Sequence, residues 1–158
     1  MKLQNDGLES PPLKVEFESC PVQASLGILG RKWAFLVLRD IELYGRRRFN
    51  EILRATPGMS RRVLSMRLKE LERGGYIKVV ARGRNYSKWD LTEKGRDVLP
   101  VLMMLVRFGS KWHSAEVFKD KKARTLREIF DESYLENVMR DYVVESPIAP
   151  HSGRKITA

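Results

Sequence analysis

The segment Ser60–Arg73, SRRVLSMRLKELER, carries the side chains of this sequence best suited to chemistry. On a helical wheel of about 100° per residue with Leu64 at the origin, Leu68 and Leu71 fall within about 40° of it. Val63 lies beside them. Arg62, Ser65, Met66, Lys69 and Arg73 point the other way, while Glu70 and Glu72 fall to the flanks and late in the run. An arginine on the first turns can bond guanine O6 and N7 with both arms of its fork, a serine suits either base type, and an exposed methionine can touch a thymine methyl. With Ser60 and Arg61 at its start, the segment forms a surface suited to base edges in a major groove. A solvated amphipathic helix is the plain alternative, since charge runs often are that. A coiled coil fails, because the stripe lasts barely two heptads before Gly74-Gly75 ends it.

Two further cationic groups lie close by in sequence. Arg82, Arg84, Asn85 and Lys88 sit at or near the tip of an apparent β-hairpin, where a basic ribbon fits a minor groove or the phosphates beside it. Arg46, Arg47 and Arg48 occupy a turn upstream; they suit phosphate contacts, and an ordinary solvated turn explains them as well. Cys20 is the one cysteine, so no disulfide can form within the chain. Placed just before Pro21, it stands where a helix N-terminus favours thiolate, although Glu18 opposes this. A small buried cap residue without chemistry is the alternative.

Other chemistries find little footing. His113, His151 and Cys20 make no zinc set of ligand spacing, and neither a phosphate-cradling glycine loop nor a serine elbow is present. Paired carboxylates at Glu70 and Glu72, or Asp131 and Glu132, sit on helix flanks as solvated surface. No metal, cofactor or catalytic role is expected. A ligand pocket lined by Trp33, Met103, Met104 and Phe108 is conceivable, but helical spacing reads them as plain core.

The net charge is +10 over 158 residues, and its distribution is uneven. Residues 1–19 carry two cationic and four acidic side chains, residues 20–113 carry twenty and eight, and residues 114–158 carry eight of each. The excess is confined to the middle, which implies a local surface for a polyanion rather than a generic solubility charge. No apolar run approaches the roughly 20 residues that span a bilayer. The polar start MKLQNDGLESPP does not read as a signal peptide, so a cytoplasmic protein without a membrane partner is expected.

These side chains need elements to hold them. Residues 1–19 read as a loose arm. Pro21 suits a helix start, Gly30 its end, and RKWAFLVLRDIEL supplies a very apolar second helix. FNEILRAT is a third, stopped by Pro57-Gly58, and Ser60 caps the fourth. YIKVVAR and YSKWDL flank a Gly-Arg-Asn turn as a hairpin. Thr92 opens a long apolar helix bent at Pro100, and TLREIFDESYLENVMRDYV reads as one amphipathic helix. The tail from residue 146 reads as disordered. The fold class is mainly α with a small β-hairpin (α+β): a winged helix-turn-helix domain over 20–113 with flanking helices, then an extension over 114–145 with its amphipathic helix.

The runs CPVQASLGILGRKWAFLVLRDI, RRFNEILRATPGMSRRVLSMRLKELERGGYI, LTEKGRDVLPVL and FGSKW together resemble the HxlR-type transcription regulators, winged-helix proteins related to the MarR group. The resemblance covers Cys20 to Trp112. It implies a homodimer on an inverted-repeat operator in double-stranded DNA, with the long C-terminal helix and the first helix forming the dimer interface. Its groove helix maps onto Ser60–Arg73 and its wing onto Ile77–Leu91; this wing is short and lacks the family's common proline at the tip. Some family members resemble oxidant or electrophile sensors acting through a cysteine at the place of Cys20, so a small-molecule or oxidant effector is implied. The rival reading is a protein-interaction adaptor using the winged fold as a scaffold.

Overall fold

The computed structural model describes residues 15–142. Most of the expected arm and all of the expected tail lie outside that range; residues 15–19 run as exposed chain without helix or strand. Helix α1 spans Pro21–Leu29, α2 Ala34–Leu43, α3 Phe49–Ala55 and α4 Arg61–Arg73. Strands β1, Ile77–Gly83, and β2, Tyr86–Leu91, form an antiparallel hairpin. Helices α5 (Glu93–Arg96), α6 (Leu99–Trp112), α7 (Ser114–Val117), α8 (Leu126–Ile129) and α9 (Glu132–Met139) follow, and one 3-10 turn closes the described chain. This is the winged helix-turn-helix order, mostly helical with a two-stranded wing.

The core is made where α2, α3, α4 and the base of the hairpin converge. Val37, Leu38 and Ile41 of α2 meet Ile52 of α3 and Leu64, Leu68 and Leu71 of α4, all buried. Ile77 and Leu91, opposite each other in the hairpin register, close it from below. The leucine stripe of α4 is thus the inner stripe of that helix, and burial of each leucine is worth about 1.5–3 kcal/mol.

Helix ends follow local chemistry. Ser60 Oγ accepts from the Val63 amide at 3.2 Å, satisfying one of the orphan donors of α4. At the other end Gly75 adopts φ of +76°. There the Tyr76 amide donates to the Leu71 carbonyl at 2.9 Å and the Gly75 amide to Glu72 at 3.0 Å, a Schellman closure that glycine permits at low cost. Gly95 is required for contact rather than for φ, since a Cβ there would lie 2.0 Å from the Tyr76 carbonyl oxygen.

Two expectations are corrected. Pro100 does not bend one long helix; the chain divides into α5 and α6, and Pro100 takes the second position of α6. It has no N–H to donate to Arg96, and early helix positions need none. The helix expected over 125–143 also divides. Phe130 is extended at φ −124°, ψ 154°, and Asp131 becomes the cap position of α9. The break turns Phe130 and Tyr134 toward each other, ring centres 5.9 Å apart, against the core.

Candidate nucleic-acid interface

Helix α4 separates its two faces as the wheel requires. Arg62, Met66 and Lys69 are exposed, Ser65 is half-buried, and Arg62 and Lys69 belong to no ion pair among the described residues. Arg61 is exposed too, but held: its Nη1 donates to Asn50 Oδ1 at 3.2 Å and its guanidinium lies 5.0 Å over the Phe49 ring. The Ser60 hydroxyl serves as the cap already described. Of the acids on this helix, Glu70 is turned to Arg67 and Glu72 stands exposed on the last turn. The first two turns therefore present positive and neutral groups only.

The hairpin rises beside this face. Its register pairs Gly83 with Tyr86, leaving Arg84 and Asn85 as the two turn residues. A bulge between Val79 and Ala81 strengthens its twist. Arg82 and Arg84 are exposed, whereas Lys88 is half-buried and its main chain pairs with that of Arg48 in an isolated antiparallel bridge. A concave surface of about 390 Å³ lies between wing and helices, lined by Phe49, Asn50, Arg61, Arg82, Arg84 and Asn85 among others. It contains three arginines and no acid. Such a concavity has the charge and hydrogen-bond donors for a phosphate chain.

The three arginines of the upstream turn are engaged within the fold. Arg47 Nη1 bonds Asp90 Oδ2 at 3.1 Å, and the Trp89 amide donates to the Arg47 carbonyl at 2.9 Å, so this turn carries the wing. Arg48 covers the Tyr86 ring at 4.8 Å. Arg46 bonds Asp40 Oδ1 at 3.1 Å and stacks over Tyr44.

Asp40 is the residue that sequence reading missed. It is fully buried within α2, and it accepts from Arg39 at 2.7 Å, from Arg46, and from Thr56 Oγ1 at 3.2 Å. One carboxylate thus ties α2 to the turn before α3 and to the turn before α4. Charge-assisted bonds of this kind fix orientation as well as add stability. An aspartate three residues after Val37, in helical step with the apolar stripe of α2, was the available signal. Arg67 is a second such residue: it lies on the inner face, buried, paired to Glu70, with its Nε unpartnered.

Cys20 occupies the cap position of α1, exposed, with no side-chain capping bond, so the buried-residue alternative does not hold. The plain-core reading fails for Met104 and Phe108. Met103 is buried, but Met104 and Phe108 face outward with Val101, Leu105 and Trp112, the last two aromatics 58% and 65% exposed. Val22 and Leu26 of α1 are exposed as well. Helix α6 is apolar without interruption from Leu99 to Val106, with one side in the core and the other uncovered.

The sequence profile described as HxlR-like helix-turn-helix matches residues 28–117. The chain belongs to this family. It is accordingly similar to the HTH-type transcriptional regulator sll1512 of Synechocystis, 37% identical over 99 residues, which are 61% of this chain and 73% of that one. A solved structure from Porphyromonas gingivalis assigned to the MarR family shares 33% identity over 61% of this chain and 96% of its own, with a TM-score of 0.52. The redox regulator HypR, solved in its oxidised form, shares 31% identity over 58% of this chain and 96% of its own, with a TM-score of 0.53. The chain is thus a transcription regulator of the HxlR and MarR-like helix-turn-helix type, a family of regulators rather than enzymes. Its family-matching part holds α4 and the whole wing, while α8 and α9 lie beyond it.

Proposed function

We propose that this regulator acts as a homodimer on an inverted repeat in double-stranded DNA. In this reading Arg62, Ser65, Met66 and Lys69 face base edges, with Ser60 and Arg61 at the entry to the groove. Arg82, Arg84 and Lys88 grip the backbone or the minor groove, and Arg47 acts mainly by holding the wing. The observation that carries this reading is the acid-free exposed face of the first two turns of α4 set beside an acid-free concavity of the wing. A second copy is called for by the outward face of α6 and by α1. A nine-residue helix is marginal in water without packing partners, yet α1 buries little beyond Leu29. A two-fold pairing of these faces would cover both. Residues 20–113 would then form the DNA-binding and pairing unit and residues 114–145 an appended layer. A cytoplasmic location fits this role, and among the described residues no helix is long and apolar enough to cross a membrane.

The experiment is a footprint on the DNA flanking the gene, with affinity measured against salt for the wild type and Arg62→Ala. Protection of a palindrome and a steep fall of affinity with salt are expected. Loss of a bidentate base contact costs about 1–3 kcal/mol of discrimination. Intact discrimination in Arg62→Ala would remove α4 from the groove. A salt-insensitive protein without a protected site would be the adaptor instead.

An oxidant response is the second reading. It rests on the exposed thiol of Cys20 at the head of α1 and on the likeness to HypR. Operator binding measured with and without mild oxidant, in the wild type and Cys20→Ser, decides it. Equal behaviour of the two proteins ends the idea.

A further inference from the structure

We propose that the cleft between the C-terminal half of α6 and residues 123–128 binds a small amphipathic anion, a carboxylate with a short hydrocarbon body. The cleft measures about 380 Å³ and is lined by Arg107 and Lys111 of α6 and by the stretch Ala123–Glu128. Its far wall lies beyond the family-matching residues, so this is a feature of the extension and independent of the DNA reading.

The wall is built to stay in place. Ser110, 2% exposed, donates through Oγ to the Arg124 carbonyl at 2.6 Å and accepts from the Arg124 amide at 2.8 Å. The extension is therefore pinned to α6 through the main chain of Arg124, one of the residues lining the cleft. Arg124 bonds both oxygens of Asp120, at 3.0 and 2.7 Å, and lies 4.5 Å over the Phe118 ring. Glu128 accepts from the Thr125 amide at 2.7 Å and from the Thr125 hydroxyl at 2.8 Å. These internal pairings neutralise Arg124 and satisfy the one acid of the lining.

What remains unbalanced is cationic. Arg107 is exposed and takes part in no ion pair among the described residues. Lys111 Nζ lies 4.9 Å from the Trp112 ring centre, against a π-face rather than a carboxylate. Arg127 has only a distant partner, Glu132 at 3.8 Å, both well exposed. Ala123, Leu126 and the stems of these long side chains supply an apolar surface between the charged heads. A carboxylate meeting Arg107 and Lys111 would lay its hydrocarbon part along Leu126. A fully hydrated ion such as phosphate gains nothing from that wall, and a neutral alcohol gains nothing from the cations.

The test is calorimetric titration of the full chain with hexanoate, 1-hexanol and inorganic phosphate, repeated on the double variant Arg107→Gln/Lys111→Gln. Both sites are exposed, so the variant is expected to melt with the wild type. Saturable binding of hexanoate is expected, weakened about tenfold or more in the variant, since bonds to charged groups contribute that much. Equal binding of 1-hexanol, tighter binding of phosphate, absence of saturable heat, or an unaffected variant would each overturn the assignment. So would a variant with weakened DNA affinity in the absence of hexanoate, because the cations would then belong to a nucleic-acid surface. Failure of DNA binding in both proteins alike would bear on the DNA reading alone.

Discussion

Arg47 and Asp90 join the turn before α3 to strand β2, Nη1 to Oδ2 at 3.1 Å, across 43 positions of sequence. The pair lies at the base of the wing, beside the main-chain bond from Trp89 to Arg47. The arginine therefore has a partner inside the fold before any DNA arrives. Both side chains are partly exposed, so the pair itself contributes at most about 1 kcal/mol to stability. Its larger effect is on where the wing stands. We expect Asp90→Asn to weaken DNA binding to a degree similar to Arg47→Ala, with the double variant no worse than either. Affinities in a double-mutant cycle check this. A direct phosphate contact by Arg47 would give the opposite result, with Asp90→Asn harmless or favourable.

Asp40 yields a stability prediction. Its carboxylate is buried and receives bonds from Arg39, Arg46 and Thr56, so Asp40→Ala leaves the Thr56 hydroxyl unmatched and frees two guanidinium groups to water. Losing hydrogen bonds to a charged acceptor costs about 1.5–3 kcal/mol. Chemical unfolding should show that loss. DNA affinity, measured where the variant is still folded, should fall as well, because the turns before α3 and α4 lose their common anchor. A variant as stable as the wild type would show the node to be dispensable.

How far the sequence foretold these features depended on how far apart the partners lie. The stripe of Leu64, Leu68 and Leu71, the Ser60 cap and the Gly74-Gly75 closure are local, set by residues within one or two turns, and the structure shows them in place. The hairpin too is local. Asp40 was invisible as a node because two of its three partners lie six and sixteen positions away, and only the fold brings them together. Arg67 fell at the edge of the apolar arc, where a wheel gives its angle but not the neighbour that covers it. Met104 and Phe108 were misplaced for a related reason. Every residue from Leu99 to Val106 is apolar, so spacing within that run does not say which side the chain itself fills. The breaks at Pro100 and Phe130 show that a spacing pattern can run on through a point where the backbone cannot.

The uncovered side of α6 gives a prediction about assembly. Phe108 and Trp112 stand one turn apart, both well exposed, in line with Val101, Met104 and Leu105. Placing Asp at 108 and 112 in the double variant Phe108→Asp/Trp112→Asp would set two charges in the middle of the proposed pairing face, where burial without partners is strongly unfavourable. We expect a monomer by light scattering at concentrations where the wild type is a dimer, together with loss of high-affinity operator binding and retention of helical content. A variant that remains dimeric would move the interface elsewhere.

Tyr134 gives the chain a measurable alkaline limit. Burial first, and the nearby Glu42 carboxylate second, push its pKa up to about 12. The hydroxyl is buried without a hydrogen bond of good geometry to Glu42 or any other group. An unfolded tyrosine ionises near pH 10. Because the folded value is the higher one, the stability linked to Tyr134 is fully present below about pH 10 and is lost as pH rises toward 12. The residue belongs to α9 and packs against the core near α2, so the extension should loosen first in that window. Tyr134→Phe removes the ionisable group and should flatten the alkaline limb of the stability curve, while spectrophotometric titration of the wild type should show one late-ionising tyrosine that the variant lacks. If the two proteins share the same alkaline midpoint and the same titration, the extension does not depend on this side chain.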